Sequence, residues 1–143
     1  RGVRCYVQGI EDAKPRPVTA EGTSEGFVSA DGRQIVVRTP RGLEVLSSEG
    51  GEGRVIPGAG DDTVVRWAPD GKALLVGRAW EVPENIAKLD VVTGRREPFL
   101  TFGPADLTGA VGIISIAISD DMKVYGYGTR RMHSHLFLVE GAR

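Results

Sequence analysis

Three segments of the sequence share one layout: FVSADGRQIVVR from Phe27, VRWAPDGKALLVG from Val65 and IAISDDMKVYGYG from Ile116. Each is a short apolar run, a turn and a second apolar run. The turns centre on Asp31-Gly32, Asp70-Gly71 and Asp121-Met122. Asp-Gly between apolar runs is a strong hairpin signal, because a type I′ turn needs positive φ at both central positions. Met122 replaces the glycine in the third copy, so a longer or different turn is expected there. A chain that repeats one such unit is read first as a repeat fold.

A second motif follows each hairpin: GLEVLSS from Gly42, NIAKLDVVTG from Asn85 and HLFLVEG from His135, with a further copy, CYVQGIEDAKPRPV, opening the chain at Cys5. After three of these four comes another short strand, in RPV at Arg16, RVIPG at Arg54 and REPFL at Arg96. The unit is thus a four-stranded meander, A to D, about as long as the 40 to 45 residues of one propeller blade. The turn aspartates recur at intervals of 39 and 51 residues. The loops TFGPADLTGA from Thr101 and Arg78 to Asn85 account for the longer interval, since a repeat fold absorbs loop insertions at small cost. No segment keeps apolar residues at helical spacing. The expected fold is all-β, a single β-propeller fragment of four-stranded antiparallel blades, two complete blades flanked by two partial ones. Residues 1–21 supply strands C and D of a partial blade, 22–60 and 61–102 complete blades, and 103–143 strands A, B and C of a partial last blade.

The bulk properties agree with a turn-rich chain that folds: 20 Gly and 8 Pro in 143 residues, with 41% hydrophobic residues. A net charge of -1, with both signs mixed along the chain, recruits neither nucleic acid nor an anionic membrane. The longest apolar run, Val111 to Ile118, is broken by Gly112 and Ser115 and falls far short of the roughly 20 residues of a membrane-spanning helix. Cys5, the single cysteine, has no partner for an internal disulfide and reads as a small strand residue. The chain opens in what reads as mid-strand, so a piece of a longer protein is expected, with its compartment set by the parent.

WAPDGKALLVG (Trp67 to Gly77) resembles the W-S-P-D-G repeat of the TolB-like, WD-repeat-like β-propellers of bacteria. EVP at Glu81, KLDVVTGRREPF from Lys88 and the ending GPADLTGAVGI…ISDDMKVYGYGTRR…LFLVEG look like the C-terminal blades of propellers fused to bacterial serine/threonine protein kinases and to some winged-helix regulators. The resemblance covers about three quarters of the chain. It departs at His135, where such propellers usually carry an acidic residue, and at Met122. It implies a signalling parent. No phosphate loop, H-R-D or D-F-G signature is present, so kinase chemistry is not expected in this chain.

GTSEG, Gly22 to Gly26, matches the G-x-S-x-G nucleophile pattern, but a hairpin follows it where a nucleophile elbow needs a helix. It reads as a link between blades. His133 and His135 would share one face of a strand, yet no third ligand stands near them in sequence. Asp61-Asp62 falls in an interblade loop and Asp120-Asp121 in a turn, where aspartate serves its own backbone. No catalytic, metal or cofactor residue is assigned, and no cofactor is expected. Trp67 reads as packing between blades. Trp80, in a B–C loop beside Arg78 and Glu81, has the make-up of an interface anchor. The candidate partner-binding residues are therefore Arg78, Trp80, Glu81, Asp61 and Asp62.

These features describe a non-catalytic module for protein interaction or sensing, with a protein or peptide ligand, no nucleic acid and no membrane insertion. Closure with missing N-terminal blades, or self-association, is expected of its open edges. The alternatives are the gating propeller of a prolyl-oligopeptidase-like peptidase and a periplasmic partner-binding propeller of the TolB type.

Overall fold

The computed structural model describes residues 2–11 and 14–137, and among them there are strands and no helix. A two-stranded sheet, β1 (Tyr6–Val7) and β2 (Arg16–Pro17), comes first. The second sheet holds β3 (Ser24–Val28), β4 (Gln34–Thr39), β5 (Gly42–Ser47) and β6 (Arg54–Val55) in that order. The third holds β7 (Thr63–Trp67), β8 (Ala73–Gly77), β9 (Glu84–Asp90) and β10 (Arg96–Phe102). A last pair, β11 (Ala110–Ile118) and β12 (Tyr125–Arg131), closes the series. Every pairing is antiparallel between sequence neighbours. The fold is all-β, with two complete four-stranded meanders flanked by two two-stranded partial sheets. Of the expected strand HLFLVEG, residues 135–137 carry no strand and 138–141 lie outside the described residues.

Consecutive sheets stack through three apolar interfaces. Val18, Ile35, Val37 and Leu46, with Cys5 and Val7 against them, join the first sheet to the second. Val36, Leu43, Val45, Trp67, Leu74, Val76 and Leu89 are among the residues that join the second to the third. Leu75, Ile86, Phe102, Ile113 and Ile118 join the third to the last. Side chains alternate across a strand, so neighbouring residues of β4 and β8 serve different interfaces. Between sheets, the first strands approach closely, β3 to β7 and β7 to β11. The sheets therefore stack in series along their first strands.

The three hairpin turns share one geometry, which differs from the expected type I′. The amide of Gly32 donates to Ser29 O, that of Gly71 to Ala68 O and that of Met122 to Ser119 O, at 2.9 to 3.0 Å. Only the residue after the aspartate is left-handed, with φ of 72° at Gly32, 65° at Gly71 and 61° at Met122. This is a four-residue connection built on a β-turn, of the kind next in frequency to two-residue hairpins. Met122 thus adopts the same turn, contrary to expectation. The carboxylate of Asp121 accepts from the Ser119 hydroxyl at 2.6 Å and from the Lys123 amide at 3.1 Å, as Asp31 does from Ser29 and Arg33. Those bonds fix the turn without the glycine, and the Met122 side chain packs on the neighbouring apolar interface.

Polar bonds from one sheet to the next accompany the packing. The indole Nε1 of Trp67, buried at the end of β7, donates to Phe27 O of β3 at 2.7 Å. Arg66 donates to Ile118 O of β11 and pairs with Asp120 at 2.6 Å. Trp67→Phe is expected to lose about 0.5–1.5 kcal/mol with that hydrogen bond. Trp67→Ala is expected to lose about 3–5 kcal/mol. Urea unfolding followed by circular dichroism measures both.

Candidate functional site

In a meander, the connections after alternate strands gather at one end. The links after β2, β4, β6, β8 and β10 form one face and the aspartate turns form the other. All five expected partner residues lie in two loops of the first face, Arg78, Trp80 and Glu81 in one and Asp61, which is exposed, beside Asp62 in the other.

Residues 78–83 form a loop fastened at three points. The Arg78 amide donates to Glu84 Oε1 at 2.9 Å. The Glu81 amide donates to Arg78 O, and Glu81 O accepts from the Ile113 amide of β11, both at 3.3 Å. Between these points Trp80 has φ of 72°, a conformation that costs a bulky residue about 1–3 kcal/mol. β11 meets it with a glycine: a Cβ at Gly112 would stand 2.9 Å from Trp80 Cα and from Trp80 O. Glycine inside a strand marks such a close backbone approach. The Trp80 side chain is left 55% exposed. Arg78 and Glu81 flank it and pair with each other at 3.9 Å, both open to solvent.

Beside this loop is an open cleft of about 530 Å³, whose lining includes Asp62, Arg78, Glu81, Asn85, Arg96 and Thr101. Three of the expected residues thus meet in one place, and Trp80 stands outside the cleft, over β11. Asp62 is only 4% exposed. Its carboxylate pairs with Arg96, and its carbonyl accepts from Arg38 of the preceding sheet. Asp62 is therefore occupied in holding two sheets together, and its side chain has little left for a ligand. Arg96, read in the sequence only as the start of the short strand REPFL, also lines this cleft.

Two carboxylates missed by the sequence reading are buried on this half of the molecule. Glu44 of β5 is pushed up by burial, but the Arg41 guanidinium, bonded to both carboxylate oxygens at 2.9 and 2.8 Å, and the Thr39 hydroxyl outweigh this and hold it below the usual range. Glu84, 2% exposed at the start of β9, accepts one bond from the Arg78 amide, and its Oε2 has no partner. Burial raises its pKa, and the nearby Glu81 charge adds to this. A single amide bond is too little to keep the charged form as stable as in water.

Ser24 is exposed as the first residue of β3, and the buried Thr23 before it bonds Ala20 O at 3.0 Å. Residues His133 and His135 are exposed beyond β12. Asp120 pairs with Arg66, and Asp121 closes its turn. Among the described residues no group of three His, Cys, Asp or Glu side chains is placed to hold a metal ion, and no helix is long and apolar enough to cross a membrane. Compared with models of known protein families and with curated proteins, the chain matches none.

The Glu84 carboxyl titrates near its ordinary 4.5 in the unfolded chain and higher in the folded one. Its contribution is therefore fully present below about pH 4.5 and is lost as pH rises through the folded value. Urea midpoints of the protein and of Glu84→Gln between pH 4 and 8 measure this. The advantage of glutamine is expected to grow with pH, and a difference constant over that range would contradict the raised pKa.

Proposed function

We propose that this chain is part of a β-propeller of the TolB-like, WD-repeat-like type, and that the loop face around Trp80 binds a protein or peptide ligand without catalysing a reaction. The observation that carries the reading is Trp80 itself: an exposed indole on a backbone in a costly conformation, clamped by Gly112 and by the Ile113 amide. A rigid aromatic flanked by charges loses little conformational entropy on binding, which is why such residues anchor interfaces. The cleft beside it, with Arg78, Glu81 and Asn85, offers donors and acceptors for a polar rim. Attachment to a signalling protein such as a bacterial serine/threonine kinase rests on the sequence resemblance and would make this face the sensing end of that protein.

A random peptide library displayed on phage and selected against the immobilised chain tests the site. Selected peptides are expected to lose roughly 30-fold or more in affinity for Trp80→Ala, the scale of an interface hot spot. Lys72→Ala, at the opposite end, is expected to leave binding unchanged. Peptides that bind Trp80→Ala as well as the parent chain would place the site elsewhere.

A further inference from the structure

Besides the cleft at Arg78 and Glu81, a smaller pocket of about 200 Å³ lies where the first strands of three sheets meet. Its wall is mostly apolar, with Phe27 of β3, Val64 and Val65 of β7, and Ile113, Ile114 and Ile116 of β11. Thr63, Ser115 and Glu84 are its polar residues, and of these only Glu84 is ionisable. An apolar cavity of about 150 Å³ is enough to hold benzene, so there is room here for a group of roughly four to six carbons.

Glu84 is the member of this wall whose bonding is incomplete. It is 2% exposed, its Oε1 accepts from the Arg78 amide at 2.9 Å, and its Oε2 has no partner among the described residues. The backbone makes room for the carboxyl: β8 ends in Gly77, where a Cβ would overlap Glu84 Oε1 and stand 2.7 Å from Ile86 Cδ1. An apolar side chain at 84 would fill the same space without burying an unpaired oxygen. No Lys, Arg or His lines the pocket. The Arg78 guanidinium is paired with Glu81 and lines the neighbouring cleft, while the Glu81 charge adds to the negative potential at Glu84. What the pocket lacks is a positive charge that carries N–H donors.

We propose that this pocket binds a primary ammonium group on a short apolar stem, the ammonium donating to Glu84 Oε2 and the stem lying against Phe27, Val64 and the isoleucines of β11. A neutral donor would satisfy the oxygen but leave the carboxylate's charge buried, whereas an ammonium compensates that charge and makes the stronger, charge-assisted bond. A guanidinium fits less well. Its planar fork is matched to two carboxylate oxygens, and here Oε1 is already taken by the Arg78 amide. A lysine side chain of a polypeptide and a free alkylamine share the required chemistry. The inference is independent of peptide binding at Trp80, which is not part of this wall.

Amide NMR spectra of the nitrogen-15-labelled chain, titrated at neutral pH with n-butylammonium and with n-butanol, test the site. Butylammonium is expected to shift Gly77, Ala79 and Ser115 to saturation, and butanol to bind at least about ten-fold more weakly. Glu84→Gln keeps the shape of the side chain and removes its charge; it is expected to weaken butylammonium about ten-fold or more and to leave butanol unchanged. The titration midpoint of the Glu84 carboxyl carbon is a second readout. It is expected to fall by about one pH unit at saturating amine for a ten-fold preference for the charged form. Absence of butylammonium binding, equal affinity for amine and alcohol, an amine affinity unchanged by Glu84→Gln, or shifts confined to other residues would each overturn the proposal. An acetylated and amidated Ala-Lys-Ala peptide that shifts the same amides assigns the site to a lysine of a polypeptide; binding of butylammonium alone assigns it to free amines.

Discussion

The second strand of each complete sheet is buried on both faces, and the rest of the structure is arranged around that fact. All five residues of β8 are buried. Leu74 and Val76 face the preceding sheet and Leu75 the following one, just as Ile35 and Val37 of β4 face back and Val36 faces forward. At roughly 1.5–3 kcal/mol for each side chain removed from water, these short strands supply much of the force that stacks the sheets. They explain why the sequence there reads IVV and LLV and does not alternate apolar with polar, since a strand covered on both sides has no solvent face. The third copy reads VYGYG. Its backward positions are Tyr125 and Tyr127, and at the forward position, equivalent to Val36 and Leu75, stands Gly126.

Stacking by apolar area alone sets no register between sheets. Directional bonds do. Trp67 to Phe27 O, Arg66 to Ile118 O, Arg38 to Asp62 O, Arg54 to Val91 O and Arg16 to Ser48 O each run from a side chain of one sheet to a backbone carbonyl at a strand end or connection. A side-chain donor that reaches such a carbonyl makes a directional bond that fixes the sheet-to-sheet position. This frame also holds the 78–83 loop, because β11 reaches that loop through Gly112 and Ile113. The position of Trp80 thus depends on the docking of two sheets as well as on the loop's own bonds.

That division marks what the residues reveal when read in order. Local regularities were legible: the repeated hairpins, the meander, the absence of helix and the packing role of Trp67 all follow from patterns within about 40 residues. The turn type was misread, because Asp-Gly suggested a two-residue connection while the serine two positions before the aspartate, in two of the three copies, closes a larger one. Tertiary pairing was not legible. Asp62 looked like a free loop carboxylate until Arg96, 34 residues away, was placed against it. Nothing in ENIAKLD shows that Glu84 is buried with an unmatched oxygen, because burial there depends on the loop folding back over it. Gly112 carried a signal, an interrupted apolar run, whose meaning needed the residue on the other side.

The two ends of the molecule differ in what their polar groups have left to offer. At the turn end, Asp31, Asp70 and Asp121 accept backbone amides two residues on, and their pKa values lie below the ordinary range: for Asp31 and Asp121 first through the serine hydroxyl, for Asp70 first through the Lys72 amide. Lys88 and Arg66 are then paired with Asp70 and Asp120. Groups so engaged gain little by turning to a ligand, since each new bond breaks an existing one. At the opposite end two of the buried carboxylates are consumed in the same way, Glu44 by Arg41 and Asp62 by Arg96, while Glu84 keeps one oxygen without a partner. Arg78 and Glu81 are the exception, held to each other only at 3.9 Å while their backbone is pinned from both sides. A fixed backbone that carries loosely paired charges around an exposed indole can exchange that weak pair for stronger bonds to a partner without unfolding anything, and the loop from Arg78 to Glu81 combines all three properties.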